Sequence, residues 1–243
     1  VTYNSHVHVS LNFMSLIAAL LHAPAEPPYN KTLIGPADVE LAQVRPDERQ
    51  RTLMHGRIRE LFPDYEADRY RVLLVNANAS DLLPQRRWMP ERFAAVIAQV
   101  LSQFPDVLTL MTGAPGEKEQ AQFICDLVAD PRCVNSAGTF RFEELVGLYS
   151  VASAMLSNDS GPPHFASITP LRTFVLFGPE TPALYGSLGN SEPIYAGLAC
   201  SPCVSAFNHR KTSCTDNQCL KAITVEDVAQ RLERHFGQIA AAS

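Results

Sequence analysis

The chain is 243 residues long and 46% hydrophobic, enough for one large core or two smaller ones. A net charge of −5 argues against a broad nucleic-acid-binding face, so no nucleic-acid partner is expected. The 16 arginines against 4 lysines leave room for a local anion site, because the planar guanidinium matches phosphate and carboxylate bidentately.

Residues 1–70 open with His6 and His8 alternating with valines. That period of two predicts a half-exposed strand with both imidazoles on one face, in preference to a metal pair. The apolar stretch from Leu11 to Leu21 is broken by Asn12 and Ser15. It is too short to span a bilayer and has no basic segment before it, so neither a transmembrane helix nor a signal peptide is expected. A cytoplasmic location follows by default, with peripheral contact at the inner face of the cytoplasmic membrane left open. A proline-rich, charged connector leads to a polar helix over 47–61. The arginines from Arg45 to Arg59 are interspersed with acids and read as a solvated helix face, with contact to anionic lipid headgroups as the alternative. This is too little for a second complete sheet domain. It reads as the tail of something, or as an appendage packed on the main domain.

From Arg71 onward short apolar runs alternate with helical patterns. Strands are predicted at 71–76, 107–113, 132–138, 154–159, 172–178 and, weakly, 193–197. Helices are predicted at 90–104, 117–130, 142–152, near 163–168 and at 224–239, the last capped by Thr224 with Asp227 three residues on. Strands and helices alternating at this spacing imply an α/β fold with a parallel, doubly wound sheet. Phe140, Phe142 and Tyr149 read as core.

The segment LSNDSGPPHF, residues 156–165, falls where a strand hands over to a helix. Ligands of open parallel sheets sit beyond such carboxyl ends. Pro162 and Pro163 fix φ and offer no N–H, which concentrates the free donors at Ser160 and Gly161. The result is a stiff anion cradle of the kind that holds phosphate. Asp159 stands before it to accept from hydroxyls, and His164 in the first turn adds a donor. The structural alternative is a capping Asp159 and a packed His164.

Asn-Asp-Ser-Gly-Pro-x-His, followed by a strand ending Phe-Gly-Pro, resembles the signature of glycosyltransferase family 9, the ADP-heptose:lipopolysaccharide heptosyltransferases. NANAS with RRWMPERFAAVI, LMTGAPGEKE, FRFEELVGLYSVASAMLSNDSGPPH, FGPETPALYGSLG, and CSPC with ITVEDV resemble further family segments in the same order, over residues 71–235. The resemblance implies a GT-B fold, two facing Rossmann-like domains with the active site between them. Residues 1–70 are then a remnant of the N-terminal, acceptor-side domain with its linker, and residues 71–243 the C-terminal nucleotide-sugar-binding domain. It also implies inverting transfer of heptose or a related sugar from ADP-heptose or another nucleotide sugar to a lipopolysaccharide-type glycan acceptor, with no cofactor.

By the same resemblance, the Ser160 and Gly161 amides hold the pyrophosphate, while Asp159 and His164 face the sugar. Arg86 stands where the family usually has a phosphate-neutralising lysine, and Ser80 adds a hydroxyl. Glu143, or Glu144 if the match slips by one, contacts the ribose. Thr112 and Gly113 border the adenine, and Thr181 is a further phosphate or sugar candidate. The family's base is an aspartate in an N-terminal Arg-x-Gly-Asp-like loop. No such motif occurs in residues 1–70, so no catalytic base is named. The alternative function is a truncated or non-catalytic nucleotide-sugar-binding domain lacking the acceptor half.

Cys200, Cys203, Cys214 and Cys219 have the density of a zinc site. The family carries a similar loop without metal in its chemistry, so reduced thiols are the preferred expectation and zinc the alternative. Cys125 and Cys133 read as core.

Overall fold

The computed structural model describes residues 1, 3–21 and 33–242. The first part of the proline-rich connector, residues 22–32, lies outside the described residues. Six parallel strands form one sheet in the order β3-β2-β1-β4-β5-β6. They are β1 (Arg71–Asn76), β2 (Val107–Met111), β3 (Cys133–Asn135), β4 (Ala154–Asn158), β5 (Arg172–Phe177) and β6 (Ser191–Tyr195). β1 has β2 on one side, with Leu73 opposite Thr109, and β4 on the other, with Leu73 opposite Ala154. This is a doubly wound α/β sheet of the GT-B, Rossmann-like type.

Successive strand residues point to opposite faces, and both faces are covered, so the strands are apolar throughout rather than alternating. Leu73, Val75, Ala154 and Leu156 enter one core together with Trp88, Phe93 and Ile97. Helices α3 (Pro90–Gln103), α4 (Lys118–Val128) and α8 (Val225–Ala242) cover that face. Val72, Leu74, Leu108 and Met155 enter the other core with Leu148 and Tyr149 of α5 (Leu145–Val151). Met54 and Ile58 of α2 (Glu48–Leu61) are buried in this second core. α2 begins with a reciprocal cap, Asp47 Oδ1 accepting from the Gln50 amide at 2.8 Å and Gln50 Oε1 from the Asp47 amide at 3.0 Å. The closing helix is capped as expected, Thr224 Oγ1 accepting from the Asp227 amide at 3.1 Å.

Residues 6–8 do not form the expected strand. His8 is the N-cap of α1 (Val9–Ala19), its ring accepting from the Ser10 amide while Nε2 donates to the Gly186 carbonyl at 2.8 Å. Alternation over so few residues is a weak signal, and the capping bond outweighs it. His6 is exposed. Among the described residues no helix is long and apolar enough to cross a membrane.

Candidate functional site

The sheet reverses its winding between β1 and β4, and the loops leaving β1, β2 and β4 diverge there. Asn158, at the end of β4, holds the crevice in shape. Its Oδ1 accepts from the Trp88 amide at 3.0 Å and its Nδ2 donates to the Ala77 carbonyl at 2.8 Å. A cleft of about 470 Å³ opens above, lined among others by Asn78, Ser80, Thr112, Gly113, Glu117 and Tyr149. A Cβ on Gly113 would lie 2.8 Å from Glu117 Oε2 and 2.9 Å from Asn78 Nδ2, so a side chain here would push these two polar ends aside. Glu117 is held in place by the Ala114 amide, 2.6 Å from its Oε2.

Of the aromatic residues expected in the core, Tyr149 is there and Phe140 packs against it, while Phe142 is a cleft wall instead. Phe140, Phe142 and Tyr149 all line the cleft. Phe142 is 68% exposed and meets Phe165 edge-on with ring centroids 5.1 Å apart. Tyr149 is buried in the second core and lines the cleft as well.

Ser160 and Gly161 line this cleft and a second pocket of about 270 Å³ beside it, so they form the junction of the two. Ser160 is extended, with φ −153°, and precedes the short helix α6 (Gly161–Ala166), whose first turn holds Pro162 and Pro163. The helix starts before 163, where it was expected, because both prolines take its first-turn φ. The Asp159 amide is consumed by the Leu176 carbonyl at 3.0 Å, while those of Ser160 and Gly161 donate to no backbone group in this turn.

The second pocket is charged. Ser80, Arg86, Asp159, His164, Glu180, Tyr185 and Arg210 line it with Ser160 and Gly161. Asp159 and Glu180 are 3% and 1% exposed. Arg86 Nη1 stands 3.7 Å from Asp159 Oδ2 and 3.8 Å from Glu180 Oε2, while Arg210 Nε donates to Glu180 Oε1 at 2.9 Å. Asp159 Oδ2, Glu180 Oε2 and Arg86 Nε are buried without a hydrogen-bond partner. Burial, then the neighbouring Glu180 carboxylate, pushes the Asp159 carboxyl up to about 7. Burial first, then His8 and Arg86, lowers His164, which favours its neutral imidazole. Its Nδ1 lies 3.3 Å from Ser187 Oγ.

Residues 36–213 match the sequence model of glycosyltransferase family 9 (heptosyltransferase). The chain belongs to this family. A lipooligosaccharide heptosyltransferase 2 of Campylobacter jejuni is 24% identical over 168 residues, 68% of this chain and 51% of that protein. An ADP-heptose lipopolysaccharide heptosyltransferase II of E. coli shares its fold at a TM-score of 0.63 and 18% identity, covering 86% of this chain and 56% of that one. A family 9 glycosyltransferase of Veillonella parvula gives a TM-score of 0.66 at 18% identity, covering 97% and 62%. The chain thus spans 51% to 62% of the length of these relatives.

In this family 9 chain the predicted site residues divide into two groups. Ser80, Arg86, Thr112, Gly113, Asp159, Ser160, Gly161 and His164 line one or both cavities. Glu143, Glu144 and Thr181 line neither. Glu143 is exposed and pairs with Arg141 at 3.3 Å. Glu144 accepts from the Arg141 amide at 2.8 Å as part of a helix cap, which with its other interactions holds its carboxyl below the usual range. Thr181 caps α7 (Pro182–Tyr185), its hydroxyl accepting from the Ala183 amide at 3.3 Å.

The four clustered cysteines are free thiols, and among the described residues no group of His, Cys, Asp or Glu has the arrangement to hold a metal ion. Their loop is pinned to the end of β5 instead. The Cys203 and Val204 amides donate to the Pro179 carbonyl at 3.0 and 3.1 Å. That anchoring delivers Arg210 to Glu180. Cys125 and Cys133 are buried as expected, with sulfurs 3.7 Å apart. Sequence reasoning missed Glu180 and Arg210. Glu180 carries one signal, an acid three residues past the carboxyl end of a parallel strand. Arg210 carries none.

Proposed function

We propose that this chain is the donor-binding part of a glycosyltransferase. It takes ADP-heptose or a related nucleotide sugar and serves inverting transfer of the sugar to a lipopolysaccharide-core or similar glycan acceptor. The observation that carries this reading is the Ser160–Gly161 turn. Its unpaired amides stand where a nucleotide-sized cleft meets a smaller pocket lined with polar groups. The larger cleft, about 470 Å³, is of the size that holds small-molecule ligands, and the smaller pocket extends it. Residues 71–243 form the donor domain in this reading, with residues 1–70 belonging to the acceptor side and its linker.

The nucleoside lies in the larger cleft, its base against Phe142 and bordered by Thr112 and Gly113. The diphosphate bridges the junction on the Ser160 and Gly161 amides. Arg86, whose Nε has no partner, turns its charge toward the phosphates, and Ser80 adds a hydroxyl. The sugar enters the charged pocket, facing Asp159 and neutral His164. As the glycosidic bond breaks, negative charge grows on the departing diphosphate, and fixed donors aimed at it lower the barrier. Transfer also requires the acceptor hydroxyl to give up its proton to a base. The similarity to an E. coli enzyme named for ADP-heptose supports the ADP-sugar donor.

A thermal-shift panel tests the reading. ADP and ADP-heptose are expected to raise Tm in a saturable way, by RT ln(1 + [L]/Kd) of added stability. If no nucleoside diphosphate and no nucleotide sugar moves Tm, the donor-site reading fails.

A further inference from the structure

We propose that Cys125 and Cys133 are a modification site, a dithiol at the edge of the sheet that a hydroperoxide closes into a reversible disulfide tying α4 to β3. Neither residue lines the cleft or the charged pocket, so the site stands apart from the donor reading. Cys125 lies in α4, and Cys133 is the first residue of β3. The Cys133 thiol donates to the Cys125 sulfur, with the two sulfurs 3.7 Å apart. Sulfurs in a disulfide lie about 2.0 Å apart, so closure brings these two about 1.7 Å nearer. Rotation about the two Cα–Cβ bonds and a small shift of β3 supply that approach. β3 is three residues long and pairs with β2 alone, which leaves it easier to move than the central strands.

A single buried cysteine is a small, inert hydrophobe. A second thiol within 3.7 Å changes its chemistry, because an oxidised sulfur then has a resolving partner in reach. The pair is 8% and 7% exposed, so the sheet edge is not sealed against a molecule as small as hydrogen peroxide. The hydrogen bond from Cys133 holds the Cys125 thiol below its ordinary value, against burial and the nearby Asp126. That same bond, then burial, pushes Cys133 up. Cys125 is therefore the sulfur that attacks. It bonds to one peroxide oxygen, the O–O bond breaks, and the departing hydroxide leaves with the Cys125 proton as water. Cys125 is now a sulfenic acid. The Cys133 sulfur attacks it, the S–O bond breaks as the S–S bond forms, and the second hydroxide leaves with the Cys133 proton. Two thiols lose two electrons and two hydrogens, and one peroxide becomes two waters. A dithiol reductant reverses the bond by exchange, taking the disulfide itself.

The test is peptide mapping of the whole chain after brief treatment with hydrogen peroxide, with remaining thiols blocked in denaturant. Trypsin cuts after Lys118, Arg132 and Arg141, so Cys125 and Cys133 fall in separate peptides, residues 119–132 and 133–141. In the wild type these two are expected to appear joined and lighter by two hydrogens, and to separate after dithiothreitol. Cys133→Ser keeps a hydroxyl to donate to Cys125 and removes the resolving sulfur. Dimedone, which traps sulfenic acids, is expected to label Cys125 about tenfold more in this variant than in the wild type. In Cys125→Ser, Cys133 is expected to stay unlabelled. Absence of the joined peptides overturns the proposal, as does joining of either one to the exposed Cys200 in equal amount. Equal labelling of the remaining cysteine in the two variants overturns it as well. If either variant fails to fold, the wild-type map alone decides.

Discussion

At Asp159, burial and the Glu180 carboxylate disfavour the charged form, while Arg86 and Arg210 favour it. The balance leaves the folded carboxyl near 7, so the folded protein keeps a proton that the unfolded chain gives up near pH 4. Stability from this group is therefore fully present below about pH 4 and is lost as pH rises through about 7. Asp159→Asn removes that slope. The variant's Tm relative to wild type is expected to be higher at pH 8 than at pH 5, as scanning fluorimetry at the two pH values would show, and equal differences would refute the raised carboxyl. Phe142 poses the opposite case. Its ring is 68% exposed, so Phe142→Ala should change stability by less than about 0.5 kcal/mol. Losing an aromatic shelf for the base should still weaken ADP by about 1 kcal/mol, roughly fivefold, in a direct titration. Undiminished affinity would place the base elsewhere.

Among the elements, the turn after β5 does the most to assemble the second pocket. A Cβ on Gly178 would stand 2.7 Å from Leu220 Cγ and 3.3 Å from the Cys219 sulfur, both buried. Ser201 Oγ donates to the Gly178 carbonyl, and the cysteine loop hangs on Pro179. Gly178→Ala is expected to cost about 1–3 kcal/mol by overpacking, measured by urea denaturation, and to weaken ADP-sugar binding through displaced Glu180 and Arg210. A variant as stable as wild type would mean that Leu220 yields freely. The strands and most helices were legible in the sequence because parallel strands covered on both faces leave continuous apolar runs, and Asp47, Thr224 and the paired prolines mark helix starts. The phosphate turn was legible for the same reason: Gly161, Pro162 and Pro163 say locally what the backbone does. Glu180 and Arg210 are 30 residues apart and meet only through loop anchoring, which no local pattern encodes. Phe142 was misread because hydrophobicity alone does not distinguish a core ring from a cleft wall. His6 and His8 were misread because a period of two over so short a stretch competes poorly with a helix cap.

For the whole molecule, the two faces of the sheet are covered without help from α1. That helix buries only Leu11 and Asn12. Phe13, Leu16, Ile17 and Leu20 are 60, 51, 60 and 83% exposed, at the spacing that puts them on one side of a helix. Isolated exposed apolar residues are ordinary, but a contiguous stripe of them drives association between molecules in water. Because the stripe adds little to either core, removing it should leave folding intact. Leu16→Gln with Ile17→Gln keeps good helix formers in place, so the change acts on the surface alone. The double variant is expected to melt within about 0.5 kcal/mol of wild type and to show weaker concentration dependence in light scattering. A fall in Tm would mean instead that α1 is bound into the fold through this side. Unaltered scattering would show that the stripe does not bring molecules together.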